Sequence, residues 1–140
     1  MNCPFCAIIN KETESNIVYE TENVIAFLDI DPINEGHILV VPKIHTATIR
    51  EIRLPVLTET MDVLQRISIA IEDVYKNKGY TIMQNGGDFC DFGHAHFHIF
   101  PRYENDGFGW KYSDLTFDSS DKTAEKIRTA LLNTSDPKRF

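Results

Sequence analysis

Three of the chain's five histidines fall within five residues, in the stretch GHAHFHIFPR at positions 93 to 102. His94, His96 and His98 take alternate positions, separated by Ala95 and Phe97. A strand sends successive side chains to opposite faces, so this spacing predicts one face of imidazoles and one apolar face of Ala95, Phe97 and Ile99. Neighbouring rings on the first face would stand about 6.5–7 Å apart along the backbone. Imidazole changes charge near neutral pH and can act as nucleophile, proton donor or metal ligand. The row therefore admits covalent catalysis, with one ring attacking while its neighbours orient it. It also admits a His-x-His metal site, or a plain solvated strand face.

A second group of reactive side chains opens the chain. Cys3 and Cys6 form a C-x-x-C pair in CPFC. Redox motifs with this spacing follow a strand inside a βαβ unit, which a position three residues from the start does not offer. Incidental buried thiols are a further alternative. We read the pair as one edge of a zinc site, whose tetrahedron needs two more ligands from elsewhere in the chain. The total of three cysteines is odd and does not suit a disulfide framework. Cys90 is left as a loop thiol without a role.

The elements that must carry these residues can be read from pattern. Ile17 to Tyr19 and Val24 to Leu28 read as two short strands around a polar turn, ETEN. DPINEG is a loop, and HILVVP is a buried strand that stops at Pro42. From Leu54 to Lys78 the period becomes helical. Leu57, Met61, Leu64, Ile71 and Tyr75 form one stripe, with Val63, Ile67, Ala70 and Val74 beside it. Pro55 suits the first turn of this helix and Gly79 its stop. YTIMQ is a strand, NGGDFCDFG a loop, and HAHFHIF a strand ending at Pro101. Asp121 to Leu132 predicts a C-terminal helix with Ala124, Ile127 and Leu131 on one face. Five strands and two helices make an α+β class, expected as one domain over residues 1–140.

Composition narrows the function classes. The chain has 140 residues, 42% hydrophobic and 25% charged, with a net charge of −7. That balance argues against a nucleic-acid binder, which carries a basic face, but leaves room for a small anionic ligand held by a few local donors. No apolar run approaches the ~18 residues of a membrane span. The first residues lack the regions of a signal peptide, so a cytoplasmic location is expected.

HAHFHIFPR resembles the His-φ-His-φ-His-φ-φ signature of the histidine-triad (HIT) superfamily of nucleotide hydrolases and transferases. AFLDIDPINEGHILVVPKIH, residues 26 to 45, resembles that family's first signature, in which D-I-x-P leads to G-H, an apolar strand and P-K-x-H. CPFCAII and QNGG also match, so the resemblance covers residues 3 to 103 and weakens from Glu104. It implies a HIT-like five-stranded antiparallel sheet with one long helix, and a homodimer joining two sheets. It also implies a hydrolase of dinucleoside polyphosphates or purine nucleoside phosphoramidates that needs no catalytic metal. The middle histidine, His96, would attack the α-phosphorus and form a nucleotidyl-histidine that water then resolves. His98 would bond the phosphate and assist the leaving group.

The resemblance assigns further positions. Asp29 would hold the ribose hydroxyls, its plain alternative being a turn-forming Asp. Phe5, Ile8, Phe27 and Ile30 would clamp the base, although each is equally explained as core. Asn85 matches a phosphate-side amide, with Gln84 aligning after a one-residue shift. His37 reads as structural support. Some HIT proteins with this N-terminal pair bind zinc through two Cys, the His after P-K and the first triad His, here Cys3, Cys6, His45 and His94. Such a closed site would be structural. Between Gly87 and His94 the chain departs from the common pattern, with Cys90 in place of a Gln and Asp91 in place of a small hydroxyl. An acid there repels phosphate, so either Asp91 points away or backbone amides take over the contact. Trp110 reads as packing, or as an aromatic reaching a partner's site. A zinc-dependent hydrolase using the histidines as ligands, and a nucleotide sensor with incidental catalysis, are the rival readings.

Overall fold

In the computed structural model, residues 3–134 are described. Eight elements follow one another: α1 (Pro4–Ile9), β1 (Ile17–Glu20), β2 (Val24–Leu28), β3 (Ile38–Pro42), α2 (Leu54–Tyr75), β4 (Tyr80–Met83), β5 (Phe97–Pro101) and α3 (Ser120–Leu132). The strands form one antiparallel sheet in the order β1-β2-β3-β5-β4. The α+β class is as the sequence pattern predicts, and the five-stranded antiparallel sheet with one long helix is as the family resemblance implies.

Every residue of β3 and β5 is buried, because both faces of the sheet centre are covered. Such strands read as continuous apolar runs rather than alternating ones. On one face Val24, Ala26, Ile38, Val40, Phe97 and Ile99 pack with Val63, Leu64, Ile67 and Ile71 of α2. On the other Ile25, Phe27, Leu39 and Val41 pack with Cys3 and Phe5 of the N-terminal arm. The alternation in the histidine stretch sorts as expected: Ala95, Phe97 and Ile99 join the helix-side core. Leu39 of β3 pairs with His98, which places the histidines on the arm side.

Several expectations are corrected. The ladder of β5 begins only at Phe97, which pairs with Val40 of β3. Ala95 still donates to the Thr46 carbonyl at 2.7 Å, which keeps the segment extended through the histidines. The long helix ends at Tyr75, not near Lys78, because Lys76 itself adopts the left-handed conformation (φ 49°) that Gly79 was expected to supply. Met61, Ala70 and Val74 are exposed, whereas Thr60 and Ser68 occupy core positions. Their hydroxyls donate to the Val56 and Gln65 carbonyls, both at 2.7 Å, which satisfies them internally. The C-terminal helix forms, but Ile127 and Leu131 of its apolar face are exposed. Helix α1 was not foreseen, although Pro4 at its start and the spacing of Phe5, Ile8 and Ile9 are helical signals.

Gly36, just before β3, shows how tightly α2 closes on the sheet. Its φ is +85°, and a Cβ there would lie 2.4 Å from the Tyr75 ring. Both the conformation and the space demand glycine. Gly36→Ala is therefore expected to cost about 2 kcal/mol or more, read as a lower thermal midpoint; an unchanged midpoint would refute this packing.

Candidate active site and metal site

The three triad histidines are buried, not solvated: His94 is 0%, His96 2% and His98 8% exposed. A buried ring nitrogen needs a partner, and the partners fix each tautomer. His96 Nδ1 lies 2.8 Å from the His94 carbonyl, which only accepts, so Nδ1 carries the proton and the Nε2 lone pair is left for chemistry. His94 Nε2 donates in the same way to the Pro42 carbonyl at 2.8 Å, which leaves its Nδ1 as an acceptor.

The third ring is set by a fourth histidine. The Ile33 backbone N–H donates to His37 Nδ1 at 3.1 Å, so His37 carries its proton on Nε2. That atom stands 3.0 Å from His98 Nδ1 and 3.6 Å from an Asp29 carboxylate oxygen. His98 then accepts at Nδ1 and keeps a proton on Nε2, a buried atom with no hydrogen-bond partner among the described residues. Burial above all holds His98 neutral, lowering it to about 4, with the neighbouring His96 and His37 adding to the effect. Burial likewise lowers His37, against the attraction of Asp29.

His96, His98 and His37 line one wall of a cavity of about 470 Å³, a size suited to a small ligand. Phe5, Ile8, Phe27 and Leu39 form an apolar wall, while Asp29, Asp31 and Ile30 stand at the end of β2. Phe5 packs edge-on to Phe27 at 5.6 Å and to His96 at 5.0 Å. Phe27 and Phe5 are thus both core and cavity wall. Ile30 is fully exposed at the rim. Asn85 and Gln84 are half-buried and are not among the cavity-lining residues; the Gln84 amide donates to the Asn85 carbonyl at 2.6 Å. Asp91, left open by the sequence, lines the cavity beside Phe92.

A polar clamp supports the loop that carries His37. Arg102 donates to both Asp106 oxygens, at 2.6 and 3.0 Å. Asn34 donates to Asp106 and to the Pro101 carbonyl at 3.0 and 2.8 Å, and its own carbonyl receives the His37 N–H at 3.1 Å. Sequence reasoning missed this clamp, since its members are up to 72 residues apart.

On the other side of His94, the sulfur atoms of Cys3 and Cys6 and the Nδ1 atoms of His45 and His94 all lie within 4.8 Å of one another. Cys3 Sγ is 3.4 Å from His94 Nδ1, Cys6 Sγ 3.7 Å from the same atom, and Cys6 Sγ 3.3 Å from His45 Nδ1. Bonds of zinc to S and N of ~2.3 and ~2.05 Å give tetrahedral edges of roughly 3.3–3.8 Å. The lone pair of His94 Nδ1 already faces the thiols. Burial, followed by the nearby Cys3 thiol, pushes Cys6 above its usual value, a penalty that a divalent cation between them would reverse. The donor set therefore fits zinc.

The HIT domain model matches residues 10–105. The chain belongs to the HIT family. Among its relatives, adenosine 5'-monophosphoramidase HNT1 of Saccharomyces cerevisiae is 36% identical over 134 residues, covering 92% of this chain and 82% of that protein. A HIT family protein from Bacillus subtilis has a similar structure, with a TM-score of 0.85 at 32% identity, covering 97% and 99% of the two chains. A zinc-bound histidine triad family protein from Mycobacterium smegmatis gives 0.73 at 30% identity, with 94% of each chain covered. No helix among the described residues is long and apolar enough to cross a membrane.

The low pKa of His98 has a defined stability consequence. The unfolded chain binds a proton on this residue below its ordinary value of 6.5, whereas the folded chain does so only near 4. The unfolded state holds more protons in that window, so stability should fall as pH drops from 6.5 toward 4. His98→Gln should flatten this part of the stability–pH curve in denaturant titrations. An identical slope in the variant would contradict the assignment.

Proposed function

We propose that the chain is a nucleotide hydrolase that works through a covalent histidine intermediate. The observation that carries this reading is the His96 Nε2 lone pair at a cavity wall, fixed by the His94 carbonyl, beside the partnerless Nε2–H of His98. A neutral imidazole held in one tautomer is a competent nucleophile at neutral pH. His96 Nε2 forms a bond to the α-phosphorus, and the electron pair of the scissile bond departs with the leaving group. His98 donates a hydrogen bond to a phosphate oxygen and assists proton transfer to that group. His37, bonded to His98 Nδ1 at 3.0 Å, keeps the His98 proton on the cavity side. Water then attacks phosphorus, the pair returns to His96, and a nucleoside monophosphate leaves.

Asp29 takes the ribose in this reading. One of its oxygens accepts the Asp31 N–H at 3.0 Å, and the remaining lone pairs can accept from hydroxyls. The aromatic and aliphatic wall of Phe5, Ile8 and Phe27, with Ile30 at the rim, suits a purine face. The similarity to an adenosine 5'-monophosphoramidase supports a nucleoside phosphoramidate as substrate, with a dinucleoside polyphosphate as the other member of the class. Asn85, placed by resemblance on the phosphate side, would have to turn toward the cavity to make that contact.

Zinc belongs to the same proposal as a structural ion held by Cys3, Cys6, His45 and His94. All four donors are protein atoms, so the closed site would anchor α1 beside the triad. The three free cysteines suit a reducing, cytoplasmic setting. The homodimer is supported by the open edge of β4, where Tyr80 and Ile82 are exposed.

His96→Ala is expected to cut release of nucleoside monophosphate at least about a thousandfold, with the fold and nucleotide binding retained. Near-native turnover in that variant would sink the mechanism. Metal analysis of untagged protein should find about one zinc per chain by the count of a single four-donor site, lost in Cys3→Ser/Cys6→Ser along with thermal stability. Protein from zinc-replete medium that carries no metal would refute the site.

A further inference from the structure

Among the described residues, the cavity that holds His96 and His98 is lined by four carboxylates, on Glu14, Asp29, Asp31 and Asp91, and by no lysine or arginine. Phosphate-rich ligands are ordinarily met by cationic side chains, because charge-assisted bonds to them are the strong ones. Here every formal charge on the wall is negative, and the chain as a whole carries −7. Three of the acids come from other parts of the chain than the triad loop. Asp29 and Asp31 sit together at the end of β2, where the Asp31 backbone N–H donates to an Asp29 carboxylate oxygen, and Glu14 follows α1 near Thr13 and Ser15.

Asp91 is different. It comes from the loop directly before the triad, three residues ahead of His94, and enters the wall beside Phe92. Phe92 lies 6.5 Å from the His96 ring and 5.1 Å from Phe5. The Asp91 charge also reaches His98, the ring on the leaving-group side of the proposed reaction.

We propose that Asp91 is a specificity-determining residue that selects an amine leaving group over a phosphate one. The inference rests on the hydrolase reading above. In a phosphoramidate the nitrogen must be protonated before it departs. A carboxylate beside it favours that protonated form, the proton coming ultimately from solvent with His98 assisting its transfer. His96 Nε2 then bonds to phosphorus, the P–N electron pair leaves on nitrogen, and a neutral amine departs. The positive charge passes from that nitrogen to the phosphorylated imidazole. A polyphosphate leaving group departs as an anion toward Asp91, and like charges in a partly buried cleft repel. The same carboxylate thus aids one class and hinders the other.

The test compares AMP release from an adenosine 5'-phosphoramidate of an alkyl amine and from diadenosine tetraphosphate, for wild type, Asp91→Asn, Asp91→Lys and Asp88→Asn. Asp88 is an exposed acid of the same loop outside the cavity wall, so its variant reports the effect of net charge alone. Wild type should prefer the phosphoramidate in kcat/KM. Asp91→Asn should narrow that preference about tenfold, Asp91→Lys should narrow it further, and Asp88→Asn should leave it unchanged. An unaltered ratio in both Asp91 variants, or an equal shift in Asp88→Asn, would overturn the role of Asp91 while leaving the hydrolase reading intact. A wild type that releases AMP from neither substrate would overturn both.

Discussion

A buried imidazole is tolerated only when its ring nitrogens find partners, and in this chain that requirement sets the chemistry. Each triad ring has one nitrogen engaged by a neighbour that can play one role only. The His94 carbonyl accepts a hydrogen bond from His96, the Pro42 carbonyl accepts one from His94, and the Ile33 amide donates one to His37. His37 passes the constraint to His98. The nitrogens left over point to two different places. His94 presents a lone pair to the thiols, whereas His96 and His98 present a lone pair and an N–H to the cavity. One backbone segment thereby faces a cluster of potential metal ligands on one side and the cavity on the other.

This arrangement depends on covering both faces of the sheet centre. Helix α2 seals one face, and the other is sealed by the short N-terminal arm. A helix of six residues has little stability alone. It is held by Phe5, which packs among Phe27, Phe92 and His96, and by two thiols that meet His45 and His94. The two residues between the cysteines, Pro4 and Phe5, therefore both line the cavity. Whatever grips the thiols also positions the apolar surface against which a base would stack.

The acidic lining gives this cavity a character that its residue types alone do not announce. Asp29 and Asp31 end β2, and Asp91 arrives from a loop 60 residues later. Their convergence with Glu14 makes the formal charges among the described lining residues all negative. Several side chains outside the triad matter for the same reason. Arg102, Asp106 and Asn34 tie the end of β5 to the loop that carries His37, so the orientation of a ring in the cavity is maintained by a clamp on the sheet's far margin.

Much of the fold was legible because β2, β3 and the histidine stretch carry apolar residues at every position or every second one, and α2 carries them at helical spacing. The boundaries were less so: Lys76 ends α2 in a conformation usual for glycine, and Thr60 and Ser68 fill core places by bonding their own helix. The candidate site divides in the same way. Local order in the chain determined the alternation that puts Ala95, Phe97 and Ile99 on one face and three imidazoles on the other, and it placed two thiols a helical turn apart. Tertiary structure alone decided that His37 meets His98, that His45 joins the thiols, and that Asp91 lines the cavity. Strand alternation is a property of neighbouring residues. Tautomers, ligand sets and cavity charge depend on atoms brought together from distant parts of the chain.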